Sequence, residues 1–457
     1  MTLDLKVLGG TVVTHEGRQP GVGVGIDDGR IAAIATPDRL GPADRIVDAS
    51  DHLILPGIVD THVHAREPGQ EEREDFRTAS RAAAAGGVTT FLAMPNTEPP
   101  IDSVDRLRQT ERLGASKSVV DFACYGYLGP GGLEAVQSLA EAGVVGFKAY
   151  LAISANDMAT LDDGELLDAM AAVADTGRPL AVHAENADIV GRREAAARDA
   201  ERNRPIDHAR SRPVVAETEA VSRLVTFARE TGCRVSVVHT SSGSGAASIA
   251  EAKSDGVDIR GETCPQYLWF EEEALESKGN AARINPPLRP AKERERLWSA
   301  GVHGDGVDYL GTDHSPHRDV EKGADDYFQN TWTVNSGFVG LETEVPAMLT
   351  FVDEGRITLE HWIDLATRGP ANAWGLYPQK GSLQVGTDAD LTIVDPDATW
   401  TLDKDCLQSK STTTPWDGER FVGAVEKTIV RGTVVYDDNS VVADPGYGQV
   451  VRADGGS

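Results

Sequence analysis

The stretch Leu53-Ile-Leu-Pro-Gly-Ile-Val-Asp-Thr-His-Val-His-Ala-Arg66 begins as an apolar run and ends in two histidines and an arginine. Side chains two positions apart on a β-strand point to the same side. His62 and His64 can therefore reach one point, and Arg66 joins them if the chain stays extended. Two converging imidazoles predict a metal site, and the arginine predicts an anionic substrate group. Taken alone, the stretch also fits a strand with two incidental histidines.

Seven more apolar segments follow this one and alternate with helical patterns. Helical stretches are predicted at 76–85, 164–176, 215–231 and 359–366. Eight strands with intervening helices predict an α/β fold, a parallel (β/α)8 TIM-like barrel, with its active site at the carboxyl ends of the strands. The predicted strands are 54–63, 88–94, 120–127, 144–151, 180–183, 234–239, 257–262 and 307–311.

Both ends of the chain differ from this middle part. Short strands separated by polar turns are predicted before residue 55, and again around 390–395, 427–431 and 433–436. We therefore predict a small composite β-sandwich from residues 1–55 and 381–457, and a catalytic barrel from residues 56–380.

The composition favours an ordinary globular protein, with 40% hydrophobic and 25% charged residues. No apolar run approaches the roughly 20 residues that span a bilayer, and the start lacks a signal-peptide pattern. The four cysteines are scattered and read as reduced thiols, so a cytoplasmic location is predicted.

The net charge of −28 argues against nucleic acid or an anionic membrane as a partner, because like charges repel. Arginine outnumbers lysine 33 to 11. Abundant carboxylates with scarce lysine also suggest adaptation to high salt, where self-repulsion is screened.

Polar side chains occupy the predicted carboxyl ends of several strands, where a barrel places its chemistry. Each one alone fits a satisfied core histidine, a strand-end lysine or a turn aspartate. Six such residues at the same rim of the predicted barrel together indicate a metal site. They are His62, His64, Lys148, His183, His239 and Asp313.

Lys148 needs its own explanation, because an ammonium group cannot bind a metal. A buried amine with a lowered pKa can react with carbon dioxide to give a carbamate, whose oxygens can bridge two divalent ions. Such a pair polarises a carbonyl and activates water. Asp313 would then bind one ion and act as general base, passing the proton to the leaving nitrogen.

With these residues in place, the chain resembles the cyclic-amide hydrolases of the amidohydrolase superfamily: dihydroorotase, allantoinase and hydantoinase. In that family the six residues named above hold a dinuclear, usually zinc, centre with a carboxylated lysine. The resemblance rests on Pro56-Gly-Ile-Val-Asp-Thr-His-Val-His64, Gly86-Gly-Val-Thr-Thr90, Gly146-Phe-Lys148, Val182-His-Ala-Glu-Asn186, His239-Thr-Ser-Ser242, Glu262-Thr-Cys-Pro-Gln-Tyr267 and Gly311-Thr-Asp-His314.

Four positions resemble dihydroorotases and favour dihydroorotate, which is reversibly hydrolysed to N-carbamoyl-L-aspartate in pyrimidine biosynthesis. The resemblance implies that Arg66, Asn96 and His317 bind the substrate carboxylate. Arginine suits this task because its guanidinium can donate two parallel hydrogen bonds. The competing interpretation of the arginine is a salt bridge to Glu67 or Glu71. The four positions are Arg66, Asn96, Asn285 and His317.

Other stretches resemble the two alternatives. Arg212-Pro-Val-Val-Ala-Glu217 and Val422-Gly-Ala-Val-Glu-Lys427 are similar to allantoinases, and Gln266 is similar to hydantoinases. Ile153 departs from hydantoinases, which usually carry tyrosine five residues after the bridging lysine. Dihydroorotase is the main prediction, and allantoinase or a hydantoinase/dihydropyrimidinase-type ureide hydrolase is the alternative.

Two further points follow from the resemblance. Some relatives have lost the metal ligands and are structural proteins, but the complete ligand set here predicts an enzyme. The family also implies a homodimer or a homotetramer, and the sequence does not choose between them.

Overall fold

The fold is a (β/α)8 TIM-like barrel joined to a β-sandwich, as predicted. A computed structural model describes residues 2–153 and 158–453; the final residues of the predicted composite sandwich, 454–457, lie outside this range. The strands are β1 Leu3–Leu8, β2 Thr11–Thr14, β3 Gly17–Pro20, β4 Gly23–Asp27, β5 Arg30–Ala35, β6 Ala43–Asp48, β7 Leu53–Pro56, β8 Ile58–Val63, β9 Val88–Ala93, β10 Asp121–Cys124, β11 Gly126–Tyr127, β12 Phe147–Tyr150, β13 Leu180–His183, β14 Val235–Val237, β15 Ile259–Thr263, β16 Tyr309–Leu310, β17 Leu391–Thr401, β18 Arg420–Val430, β19 Thr433–Asp437 and β20 Ser440–Val441.

The helices lie mainly between the barrel strands. They are α1 Phe76–Ala85, α2 Val104–Lys117, α3 Val136–Ala142, α4 Asp163–Thr176, α5 Ala187–Asp199, α6 Pro205–Ser211, α7 Val214–Thr231, α8 Gly243–Ser254, α9 Pro265–Trp269, α10 Ala274–Ser277, α11 Ala291–Arg296, α12 Asp319–Lys322, α13 Glu344–Asp353, α14 Leu359–Ile363 and α15 Gly369–Ala373.

The barrel strands pair in parallel and in chain order. β8, β9 and β10 form one run, and β11 through β16 form the next. A parallel bridge between Val63 and His314 links the first strand to the segment after the eighth. β8 and β9 are buried at every position, as expected for parallel strands covered on both faces. This arrangement brings the carboxyl ends of all eight strands to one rim.

Local sequence signals set the helix boundaries around the barrel. Asp75 caps α1 and Asp162 caps α4, each through its side chain and the backbone N–H three residues on. α4 ends at Gly177, whose φ of 68° is the left-handed conformation that glycine adopts most easily. The predicted helix at 359–366 is divided, because the regular turns of α14 continue as a wider π-helix over residues 364–368.

Both termini contribute to the sandwich, which has a four-stranded sheet (β5-β4-β1-β6) and a seven-stranded sheet (β20-β19-β18-β17-β7-β2-β3). β7 belongs to the sandwich and β8 to the barrel. Gly57 separates them, and a Cβ there would lie 2.2 Å from Thr89 Oγ1, so a larger residue would clash. The division at residues 55/56 and 380/381 stays a prediction.

A buried lysine joins the two parts. Lys380 Nζ donates to Asp390 Oδ2, beside β17, at 2.8 Å and pairs with Asp388 at 3.0 Å. It also pairs with Asp121 at the start of β10. Within residues 2–153 and 158–453, no helix is both long and apolar enough to cross a membrane.

Candidate metal centre and active site

The six predicted ligands lie together at the carboxyl ends of the barrel strands. All six are buried, with none more than 5% exposed. They are His62 in β8, His64 directly after it, Lys148 in β12, His183 at the end of β13, His239 two residues after β14, and Asp313 three residues after β16.

The distances between their donor atoms suit shared metal ions. Asp313 Oδ1 lies 3.4 Å from His62 Nε2 and 3.3 Å from His64 Nε2. On the other side, His183 Nδ1 lies 3.0 Å from His239 Nε2. The His62 and His239 ring centroids are 5.2 Å apart, so the group around Asp313 and the His183–His239 pair adjoin each other. The same pocket is lined by Lys148.

Two of these residues have strained backbones. His239 and Asp313 have φ of 41° and 49°, a left-handed region that residues other than glycine adopt rarely. Such strain costs about 1–3 kcal/mol and persists only where surrounding contacts hold it. The His239 N–H donates to Glu262 Oε1 at 3.0 Å, which is one such contact. These left-handed turns place the side chains of His239 and Asp313 at the carboxyl ends of the barrel strands.

Three of the histidines are oriented by a second hydrogen bond. His62 Nδ1 donates to Glu262 Oε1 at 2.9 Å, and His183 Nε2 donates to Glu185 Oε2 at 2.9 Å. His64 Nδ1 donates to an amide oxygen, Asn96 Oδ1, at 2.6 Å. The opposite nitrogen of each ring therefore keeps a lone pair facing the cluster. Such outer partners fix the tautomer of metal-ligating histidines.

Burial sets the protonation of the imidazoles. It lowers the pKa of all four ring groups at His62, His64, His183 and His239, and Lys148 adds to this. They are consequently neutral at neutral pH, as metal ligation requires. Burial alone would raise the pKa of Glu185, but the Arg212 guanidinium and His183 lower it to about 2. Glu185 is thus a fixed negative charge behind His183.

Lys148 has the properties needed for carboxylation. Burial lowers its pKa to about 8, against the opposing effect of Glu262 and Asp313. Its Nζ has no hydrogen-bond partner among the described residues, a costly state for a buried amine. A carbamate on Nζ, held between two divalent ions, would relieve this cost. The neutral imidazoles, the Asp313 carboxylate and this amine therefore fit a dinuclear centre.

Arg66 lies apart from the pocket, contrary to the expectation of an extended chain. Its φ is 62°, so the chain turns directly after the paired histidines. The guanidinium donates from Nε to Pro316 O at 3.1 Å and from Nη2 to Ser315 Oγ at 2.8 Å. Neither of the salt bridges considered for it, to Glu67 or to Glu71, is among the ion pairs of the described chain.

The other predicted substrate residues divide in the same way. Asn96 and Asn285 line the pocket, together with Tyr150, Ile284, Ser315, Ser336 and Gly337. His317 is not among the lining residues; its Nε2 donates to Ser336 O at 2.9 Å, and its ring lies beside Arg66. Of the three residues predicted to bind a substrate carboxylate, Asn96 therefore lines the pocket, whereas Arg66 and His317 lie behind the lining residues.

Comparison with known proteins identifies the family. Residues 53–435 match the model of the amidohydrolase family. The chain is 40% identical to an allantoinase from Solibacter usitatus over 450 residues, 98% of this chain and 96% of that protein. It is 37% identical over 431 residues to an L-hydantoinase from Paenarthrobacter aurescens, 93% of each chain. The chain belongs to the amidohydrolase family.

A solved structure supports the same assignment. The L-hydantoinase (dihydropyrimidinase) from Arthrobacter aurescens superposes on this amidohydrolase with a TM-score of 0.95 at 35% identity, covering 99% of this chain and 100% of that one. A D-hydantoinase structure gives a TM-score of 0.91 at 28% identity. The predicted family and fold are therefore confirmed.

Two carboxylates and an arginine around the predicted metal ligands were not predicted from the sequence. Glu185 and Glu262 orient His183 and His62, and Arg212 Nη1 pairs with Glu185. A signal was present, because Glu185 and Glu262 fall at barrel strand ends inside motifs already used for the resemblance. A buried carboxylate near a predicted metal histidine is a natural candidate for its hydrogen-bond partner.

Replacing Glu262 by glutamine should weaken metal binding by about 10–100-fold. The amide keeps the size of the side chain but removes the charge that supports His62. Chelator competition on the purified protein measures the affinity, and kcat at saturating metal measures the remaining activity. Glu230→Gln, on the exposed face of α7, is the matched control. Unchanged metal affinity in Glu262→Gln would remove the orienting role of Glu262.

Proposed function

We propose that this amidohydrolase opens the ring of an uncharged cyclic ureide by hydrolysis of a ring amide bond, with allantoin as the best supported substrate. The relatives described above are an allantoinase and an L-hydantoinase. They support the alternative prediction better than dihydroorotase. Hydantoin-type rings are the second candidate, favoured by the close superposition on the L-hydantoinase.

The residues that line the pocket favour an uncharged substrate ring over a charged one. Apart from the predicted metal ligands, the lining side chains are all neutral: Asn96, Tyr150, Ile284, Asn285, Ser315 and Ser336. Arg66, the cation expected to bind a substrate carboxylate, is absent from this lining; it donates from Nε and Nη2 to the 315–316 segment, and its Nη1 has no hydrogen-bond partner in the described chain. Burying a carboxylate without a paired cation is costly, whereas ureide N–H and C=O groups match neutral donors and acceptors.

Two unpaired polar atoms suit such a ring. Asn96 Nδ2 and Tyr150 Oη are buried and have no hydrogen-bond partner in the described chain. Both residues line the pocket beside the metal ligands. We assign them to hydrogen bonds with the substrate, which would orient the ring carbonyl at the centre. Asn96 would then serve two groups, since its Oδ1 already accepts from His64.

The six strand-end residues would hold two divalent ions, in the family usually zinc, with carboxylated Lys148 as the bridge. When bound, the ions supply a Lewis acid for the carbonyl and lower the pKa of water. Asp313 Oδ takes the proton from the attacking water. The water oxygen bonds to the ring carbon, the ring C–N bond breaks, and Asp313 returns the proton to the leaving nitrogen.

The environment of Asp313 suits this proton transfer. Burial raises its pKa, and His62 and Lys148 oppose the rise. A carboxylate made more basic by burial accepts a proton more readily. Ring opening gives one product that carries a carboxylate and a ureido group, so allantoin would give the ring-opened acid allantoate.

A substrate panel tests the proposal. Purified, metal-loaded enzyme should show a kcat/KM on allantoin at least about 100-fold above that on dihydroorotate, a difference of ~3 kcal/mol. Hydantoin and dihydrouracil complete the panel. Preferred turnover of dihydroorotate would overturn the proposal and restore Arg66 to a substrate-binding role.

Four earlier predictions remain proposals. We place the enzyme in the cytoplasm, as a homodimer or homotetramer, with a small cyclic amide and no nucleic acid as its partner. Its acidic surface is proposed to reflect a saline environment.

A further inference from the structure

We propose that a basic cavity between α5 and α6, outside the active site, binds a small organic phosphate. The cavity measures about 730 Å³. It is formed by the second half of α5, the connection 200–204 and one side of α6 as far as Ser211. The proposal does not depend on which ring the active site hydrolyses.

Charge distinguishes this region from the rest of the molecule. Residues 192–212 contain seven arginines and four carboxylates in a chain of net charge −28. The cavity is lined by four of the arginines, Arg193, Arg202, Arg204 and Arg210, and by two carboxylates, Glu201 and Asp207. A concave surface with excess positive charge concentrates anions.

Three of these arginines are available to a ligand. Arg204 is already neutralised, since it pairs with Asp207 at 3.4 Å and with Glu276 at 3.7 Å. Arg193, Arg202 and Arg210 are exposed, and their guanidinium groups have no hydrogen bond or ion pair within the described part of the chain. Arginine forks suit phosphate because they donate paired hydrogen bonds to its oxygens.

The remaining lining indicates an organic ligand rather than a bare ion. Ala196, Ala197 and Ala200 form an apolar part of the wall. The cavity falls in the range of roughly 300–1,000 Å³ that is typical of sites for small organic molecules. A phosphate ester can place its charged group on the arginines and its organic part against the alanines.

Hydrogen bonds connect this cavity to the active site. Arg202 O accepts from Trp332 Nε1 at 2.8 Å, and Asn203 O accepts from Thr331 N at 2.9 Å. A few residues further along that segment, Ser336 and Gly337 line the catalytic pocket. An occupant of the cavity would therefore restrain a segment that contributes to substrate binding.

A second connection runs through Arg212, which directly follows α6. Arg212 Nε donates to Glu194 on α5 at 3.2 Å, and its Nη1 pairs with Glu185. Glu185 in turn holds His183. We infer that binding in the cavity changes the KM for the cyclic amide.

Calorimetry on the metal-loaded enzyme tests the site, with adenosine 5′-monophosphate as the probe and adenosine as the uncharged control. We expect saturable binding of the monophosphate, none of adenosine, and weaker binding when NaCl rises from about 0.1 M to about 1 M. The triple variant Arg193→Gln, Arg202→Gln, Arg210→Gln should bind at least about tenfold more weakly. Arg112→Gln, an exposed arginine on α2, should bind like the parent.

Several results would overturn the proposal. Equal affinity in the triple variant, or no saturable binding at 0.1 M NaCl, would remove the site. Sedimentation that shows the triple variant dissociating into smaller species would make the arginines a contact between copies of the chain. An unchanged KM at saturating monophosphate would contradict the connection to the active site. Circular dichroism of the variants confirms that they fold.

Discussion

An Asp313→Asn variant should hydrolyse the cyclic amide on the order of 10²–10⁴-fold more slowly than the parent while keeping the fold. The amide matches the carboxylate in size and retains an oxygen facing His62 and His64, so the local structure persists. It cannot accept the proton of the attacking water or return it to the leaving nitrogen. The loss should therefore appear mainly in kcat, measured by ring opening under saturating substrate and metal.

Metal content separates the two roles of Asp313. If bound metal falls only slightly while kcat collapses, the proton-transfer role explains the loss; if both fall together, ligation explains it. Asp258→Asn is the matched control, because Asp258 precedes β15 at the opposite end of the barrel and is exposed. An Asp313→Asn variant with parental kcat would exclude Asp313 as the general base.

The fold and the grouping of the six predicted ligands at one rim were predictable because they depend on short-range patterns. The alternation of apolar strands with helices predicted the barrel, and parallel barrels place all carboxyl strand ends at one rim. His62 and His64 follow from the two-residue strand period. To predict that His183 and Asp313 lie at the rim, only the approximate end of a strand had to be known. An error of one or two residues in that end does not move them away from the rim.

The substrate layer could be predicted only in part, because it depends on backbone turns and long-range contacts. Arg66 was expected beside the histidines on an extended chain, but its left-handed φ of 62° turns it towards residues 315–317. Asn96 was expected to bind the substrate; it lines the pocket, and its Oδ1 also accepts from His64 Nδ1, a contact that was not predicted. Hydrogen bonds between residues so far apart in sequence leave no local pattern.

A Lys148→Met variant should lose nearly all turnover, and its metal-free form should be more stable than the metal-free parent. Methionine fills a similar volume but cannot form a carbamate, so the bridge between the two ions is lost. Elemental analysis should show a marked loss of bound divalent metal. The pocket would keep its histidines and Asp313, so any residual metal should be weakly held.

The gain in stability follows from the depressed pKa of Lys148. Its folded-state pKa of about 8 lies below the ordinary lysine value of 10.5, so folding disfavours the protonated amine. The cost is on the order of 3 kcal/mol at pH 7 and disappears as pH rises from about 8 to about 10.5. The metal-free parent should therefore gain stability over that pH interval, and Lys148→Met should not show this gain. Denaturant unfolding at several pH values measures the difference.

Lys380 provides the matched comparison, because it is also a buried lysine but lies among carboxylates. Lys380→Met removes the cation beside buried Asp390 and leaves Asp121 with Arg431 alone, so it should destabilise the protein by about 3–5 kcal/mol while leaving metal content per folded molecule unchanged. The two substitutions should thus shift stability in opposite directions. A Lys148→Met protein that retains two tightly bound ions, or that is less stable than the metal-free parent at pH 7, would contradict the carbamate bridge or the depressed pKa respectively.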